Sequence, residues 1–174
     1  MTELRPGTSP PPVRIPIRRG CRIAANPSPP CLALSPASRL RETPSHPYHR
    51  AMNYELYMGE ALAEARAAVR RGERPHAAVA VLDEAMVARG HDRVVETKDP
   101  TAHAVMVALR EACRRLGTSR LQDVTIFATV EPCAMCVGAL LNSDVDALVY
   151  AMPDPEDGAA GTVLQLADHP GLGR

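Results

Sequence analysis

Apolar side chains at Leu56, Met58, Leu62, Ala65 and Val69 recur close to every 3.6 residues, with Glu and Arg opposite them. That spacing predicts an amphipathic helix over 54–71, stopped by Gly72. The apolar run Ala77 to Leu82, the residues Asp83-Glu84-Ala85 and the run Met86 to Ala88 predict two strands joined by a tight turn. Asp99-Pro100 has the chemistry of a helix start, with Asp as cap and Pro in the first position. The helix it predicts runs through Val105, Met106 and Leu109 to Leu116 and ends at Gly117. Val124 to Val130 is β-branched and mostly apolar, as a strand buried on both faces requires. Glu131-Pro132 breaks that strand, a third helix runs from Cys133 to about Leu141, and Val145 to Tyr150 reads as the last strand. Strands alternating with helices predict an α/β sandwich around one sheet. No internal repeat is visible.

Composition divides the chain near residue 51. Residues 1–51 set eight arginines against two acids, near +6, and hold 11 of the 17 prolines. The rest sets 12 Lys and Arg against 18 acids, near −6. Proline at that density works against a packed core, so 1–51 is expected to be a disordered Pro/Arg-rich extension and 52–174 a folded domain. An organelle transit peptide would need an amphipathic helix that these prolines break. Arg18-Arg19 lacks the apolar run of a twin-arginine export signal. A basic tail that meets nucleic acid and a stretch translated ahead of a start at Met52 remain as readings of the same segment. No apolar run approaches the roughly 18 residues of a membrane span. Five cysteines, an odd number with no secretion signal before them, fit a reducing cytoplasm better than a disulfide framework.

The candidate chemistry lies in Pro132-Cys133-Ala134-Met135-Cys136, which puts two thiols three residues apart at the first turn of a helix. Free N–H groups and the helix dipole there favour thiolate, the form that binds metal. Alone, Cys-x-x-Cys also fits a redox pair, half of a four-cysteine knuckle, or two core thiols. No second cysteine pair follows, and the order of elements is not that of a thioredoxin. Cys113, in mid-helix, reads as core. His103, 30 residues before Cys133 and early in the second predicted helix, supplies a further ligand type. One His and two Cys leave a fourth tetrahedral position open, the pattern of catalytic rather than structural zinc.

Asp-Pro-Thr-Ala-His-Ala (99–104), Met106 through Ala112 and Glu-Pro-Cys-Ala-Met-Cys (131–136) together resemble the zinc-dependent cytidine deaminase-fold family. Within it the likeness is to bacterial tRNA-specific adenosine deaminases and related nucleoside and guanine deaminases. Asp154, Gly158-Ala159-Ala160-Gly161 and His169-Pro170-Gly171 continue it, so it spans about residues 52–171. The resemblance implies a three-layer α/β/α sandwich with a mixed central sheet. It also implies one zinc per chain on His103, Cys133 and Cys136, and hydrolytic deamination of tRNA adenosine to inosine or of a nucleoside or nucleobase. Partners implied are the tRNA or nucleoside substrate and a second subunit, as a homodimer or as a heterodimer with an active deaminase.

Three departures from the family pattern bear on function. The family's proton-shuttling Glu, in His-x-Glu, is Val105 here, and valine can neither take nor pass a proton. General acid–base help is worth roughly 10²–10⁴-fold, so turnover by the family mechanism is expected to be impaired. Gly90-His91-Asp92-Arg93 resembles the family's Gly-x-Asn segment, which makes Asp92 the candidate substrate-binding residue, with acceptors in place of an amide's donors. The chain stops at Arg174, where family members continue with a strand and a helix that help close the pocket, so the sandwich is expected to be C-terminally truncated. Glu131 is expected to orient the cysteine loop rather than serve as an acid, and His76 and His91 flank the strand pair. The alternative to an impaired enzyme is a non-catalytic zinc-binding partner subunit or RNA-binding pseudoenzyme, as in the eukaryotic heterodimeric tRNA deaminase, whose partner subunit resembles His103-Ala104-Val105.

Overall fold

In a computed structural model, residues 52–167, 169 and 172 are described, together with the backbone of 13–16. The Asn53 side chain accepts the N–H of Leu56 at 3.0 Å and starts α1, Tyr54–Arg70. Strands β2 (Ala77–Leu82) and β3 (Ala85–His91) follow, then a single-turn helix α2 (Val94–Thr97), α3 (Ala104–Leu116), β4 (Thr125–Val130), α4 (Ala134–Asn142) and β5 (Ala147–Met152). The strand β1, Val13–Pro16, pairs antiparallel with β5 from within the segment read as an extension. The sheet order is β1-β5-β4-β2-β3, with β4 and β5 parallel and every other pair antiparallel. A mixed sheet is therefore present. The turn between β2 and β3 holds Asp83 and Glu84 at φ 48° and 63°, the left-handed pair that matches the twist of a two-residue hairpin.

The strands alternate strictly between two cores. Val79, Val81, Phe127 and Val149 pack with Tyr57, Met58 and Ala61 of α1. Ala78, Ala80, Ile126, Ala128, Leu148 and Tyr150 face the other way, against α3 and α4. Period-two alternation with helices on both faces gives the three-layer α/β/α sandwich that the resemblance implied.

Two elements depart from the sequence pattern. Leu56, Leu62 and Val69 of α1 are about half exposed, and the buried face is built instead from Tyr57, Met58, Ala61, Ala65 and Ala68. The alanines let the helix lie close on the sheet while Tyr54 and Tyr57 clasp Phe127, with ring centroids 5.7 and 5.2 Å away. The helix expected from Pro100 begins at Ala104. Asp99 does cap, but it caps a turn: its Oδ1 accepts the Thr101 N–H at 2.8 Å and the Thr101 hydroxyl at 2.7 Å.

The placement of α3 matters for the site. Gly90 in β3 lies so near α3 that a Cβ there would meet the Ala108 nitrogen at 2.7 Å and the Ala104 oxygen at 3.0 Å. Glycine at 90, with alanines at 104, 108 and 112, allows backbone-to-backbone approach and fixes where the N-terminus of α3 ends up.

Candidate metal centre and its pocket

Two helix N-termini meet at one end of the sheet. His103 is the N-cap of α3 and Cys133 the N-cap of α4, both in extended conformation, and Cys136 lies one turn further along α4. The ligand-type atoms of His103, Cys133 and Cys136 all lie within 4.8 Å of one another. Nδ1 of His103 faces both sulphurs, 3.5 Å from Cys133 Sγ and 3.8 Å from Cys136 Sγ. One borderline nitrogen and two soft sulphurs converging from rigid helix ends are a donor set suited to zinc, with room for a fourth ligand. The Cys133 thiol is pulled down to about 5, chiefly by hydrogen bonding from Cys136, with the imidazole of His103 adding to it. Cys136, bonded to that thiolate and more deeply buried, is pushed up. At neutral pH the pair is already half ionised, which suits metal capture.

A second layer fixes these residues. Asp92, at the end of β3 and 1% exposed, accepts the Ala104 N–H with Oδ1 at 2.7 Å. Its Oδ2 accepts Arg74 Nε at 2.9 Å, and His76 Nδ1 stands 3.7 Å from the same oxygen. The Arg74 guanidinium reaches on to Nε2 of His103 at 3.3 Å. The Asp92 carboxylate thus supplies the side-chain cap that α3 does not draw from His103 itself.

Glu131 and Gly158 build the opposite wall. The buried Glu131 carboxylate accepts the N–H of Asp154 at 3.2 Å, of Ala160 at 2.9 Å and of Thr162 at 3.0 Å, and also the Thr162 hydroxyl. A Cβ on Gly158 would fall 2.6 Å from Glu131 Oε2 and 2.4 Å from the Asp154 oxygen. Glycine is required for the loop to close over Cys133, with which Gly158 forms a β-bridge. The Glu131 side chain therefore holds the loop after β5, which in turn bridges to Cys133 through Gly158.

The pocket between these walls is lined by the three ligand-type residues, Val105, Asp92, Arg74, His76, Ala77, Thr129, Glu131, Asp154 and Asp157, among others. Val105 is 5% exposed and belongs to the core packed under α3. Asp92 is in the pocket, with both oxygens already engaged by the chain itself. His76 lines it as well. His91 does not: it is buried on the far side of β3, 2.6 Å from Glu64 Oε1 and 2.9 Å from Arg71. Cys113 packs against the core of α3 and is not part of the His103, Cys133 and Cys136 cluster. Pro170 and Gly171 lie outside the described residues. Sequence reasoning missed Arg74, Thr129 and Asp157; an Arg-Pro-His run leading directly into a buried strand was the one available hint. No helix among the described residues is long and apolar enough to cross a membrane.

Comparison with known proteins bears on this geometry. The family model for MafB19-like deaminases matches residues 52–168. The tRNA-specific adenosine deaminase of Bacillus subtilis (strain 168) is 43% identical over 112 residues, covering 64% of this chain and 70% of that protein. A structure from studies of A-to-I editing by tRNA:A34 deaminases at the wobble position superposes with TM-score 0.64 at 38% identity, over 67% of this chain and 89% of that one. The guanine deaminase structure from Bacillus subtilis superposes with TM-score 0.59 at 38% identity, over 64% and 71%.

Proposed function

The chain belongs to the MafB19-like deaminase family, and from that premise we propose that it is a zinc-dependent hydrolytic deaminase whose turnover is lowered by Val105. The substrate proposed is adenosine in tRNA, converted to inosine, or a free nucleoside or nucleobase. One observation carries the reading. His103, Cys133 and Cys136 converge on a single point, and the adjoining pocket wall presents Val105 where the family's proton carrier would stand.

His103, Cys133 and Cys136 would hold the ion. When bound, zinc supplies Lewis acidity and lowers the pKa of water at its open position. The residues of the chain do the rest. Asp92 caps the N-terminus of α3 and so places His103, and Glu131 holds the 154–162 loop over the cysteine turn. Val105 makes that wall apolar. Because both oxygens of Asp92 are engaged, its part in substrate binding is proposed to be indirect, through Arg74. Assembly as a dimer, with a second copy or with an active deaminase subunit, is part of this proposal.

The same Val105 favours a second reading, a non-catalytic zinc-binding partner that supports a deaminase or holds RNA. The two separate in one assay. The full-length chain, zinc-loaded, is given a tRNA anticodon arm and, separately, free adenosine, cytidine and guanine, with inosine formation and ammonia release as readouts. The measurement is repeated with Val105→Glu. Slow deamination that rises at least tenfold in the variant supports the impaired enzyme. No deamination by either protein on any of these substrates overturns it in favour of the partner.

A further inference from the structure

Hydrolytic deamination needs a group that takes a proton from water and delivers one to the departing nitrogen, and Val105 offers neither. Besides the metal ligands, the titratable side chains lining the pocket, apart from arginine, are His76, Asp92, Glu131, Asp154 and Asp157. Glu131 spends its carboxylate on four donors of the 154–162 loop. Asp92 spends both oxygens on Ala104 and Arg74. Asp154 caps Glu156 and Asp157 with Oδ1, which holds its carboxyl below the usual range, and Asp157 lies exposed at the rim. His76 is the remaining group.

The structure equips His76 for such a task. Its backbone is pinned on both sides: its N–H donates to the Arg74 carbonyl at 2.7 Å, and its carbonyl accepts the Asp92 N–H at 3.1 Å. The next residue, Ala77, donates to Thr129 Oγ1 at 3.0 Å. The side chain is about one-third exposed, with Nδ1 3.7 Å from the Asp92 carboxylate and Nε2 making no hydrogen bond among the described residues. The charges that face it are Asp92 from β3, Arg74 from the preceding loop, Asp154 from the loop after β5, and His103 from α3. Burial lowers its pKa, Arg74 and His103 add to that, and the two carboxylates oppose it, so the ring is mainly a neutral base at pH 7.

We infer that His76 is the proton carrier of this pocket, a catalytic residue that takes the place of the carboxylate missing at Val105. The inference rests on the deaminase reading above. Neutral His76 takes one proton from water as the oxygen bonds the amine-bearing ring carbon, and passes it to the adjacent ring nitrogen. It then carries the remaining hydroxyl proton to the amine as the carbon–nitrogen bond breaks. Water is consumed, ammonia leaves, a carbonyl remains on the ring, and no electrons are transferred.

The test compares the zinc-loaded full chain with His76→Gln, His76→Ala and Val105→Glu. Expected is slow deamination by the native chain and a loss of about a hundredfold in kcat in both His76 variants. KM and zinc content should stay within twofold, and the acid limb of the pH–rate profile should disappear. A readout independent of turnover is the His76 ring resonance by NMR, which should shift when purine riboside is added to the zinc-loaded native chain. His76→Gln within threefold of the native rate, or a ring resonance indifferent to purine riboside, overturns the inference. A silent native chain beside an active Val105→Glu also overturns it while leaving the deaminase reading intact. Silence from every protein overturns both.

Discussion

Asp92 Oδ1 accepts the backbone N–H of Ala104 at 2.7 Å, tying the end of β3 to the first residue of the helix that carries His103. The same carboxylate holds Arg74, which contacts the far nitrogen of the imidazole. With Nδ1 given to a metal, Nε2 would carry the ring proton, which a guanidinium cannot accept, so the Asp92 cap on α3 rather than Arg74 would set how His103 is presented. Asp92→Ala leaves a buried N–H without an acceptor and Arg74 without a partner. The expected loss is about 2 kcal/mol of stability, from the uncapped helix and the unsatisfied donor. Zinc affinity should fall by about 10–100-fold. Asp92→Asn keeps an acceptor for Ala104 but sets an NH₂ against Arg74 Nε, so it is expected to lose about 1–2 kcal/mol. Urea denaturation and competition with a chelator measure the two effects separately.

Glu131 predicts a different pattern, because four donors and no acceptor face its carboxylate. An amide in its place sets an NH₂ against an N–H, so Glu131→Gln is expected to be damaging although it preserves shape. Expected losses are about 3 kcal/mol for Glu131→Ala and about 1–2 kcal/mol for Glu131→Gln. Gly158→Ala, whose methyl meets the same carboxylate, should loosen the same loop. Proteolytic nicking between residues 154 and 162 should speed up in all three variants. Equal protection in Glu131→Gln and the native chain would contradict this account of the loop.

The Cys133 thiol, lowered to about 5, makes a pH prediction for metal-free protein. An ordinary thiol ionises near 8.5. Here the folded value lies below the unfolded one, so thiolate is present in the native state across the range from about 5 to 8.5, where the unfolded chain is protonated. Iodoacetamide should therefore label Cys133 at pH 6.5, with Cys136 and Cys113, both shifted upward, spared. Peptide mass mapping identifies the site. Zinc should abolish the labelling, and its affinity should fall as pH drops and protons compete for the sulphurs.

The local patterns were legible and the long-range commitments were not. Alternation in Val79, Ala80 and Val81 and in Ile126, Phe127 and Ala128 writes the two-sided sheet directly into the sequence, and Cys133-x-x-Cys136 with His103 marks three residues that the fold brings within 4.8 Å of one another. The burial of α1 was misread because the pattern weighs Leu62 and Val69 above Ala61 and Ala68, whereas close packing on a sheet prefers the small side chains. The start of α3 was misread for a related reason. Asp99 makes the bonds of a cap locally, while the residue that caps the helix, Asp92, comes 12 positions before Ala104 and reaches it only through tertiary contact. Glu73 acts similarly, receiving the N–H groups of Val95 and Glu96 and so founding the short α2 that no periodicity announced. Glu131 stands beside Pro132 in sequence, yet its partners lie 23 to 31 residues away.

His103, Cys133 and Cys136 are proposed to form a zinc site with one position open. X-ray absorption at the zinc edge of the purified chain, with metal content measured on the same sample, is the decisive measurement. The prediction is about one zinc per chain, with two sulphur neighbours at about 2.3 Å and two nitrogen or oxygen neighbours at about 2.0–2.1 Å. His103→Ala should remove one light neighbour, and Cys133→Ser one sulphur. A chain that carries no zinc after growth and purification in zinc, or a zinc shell of four sulphurs, would contradict it.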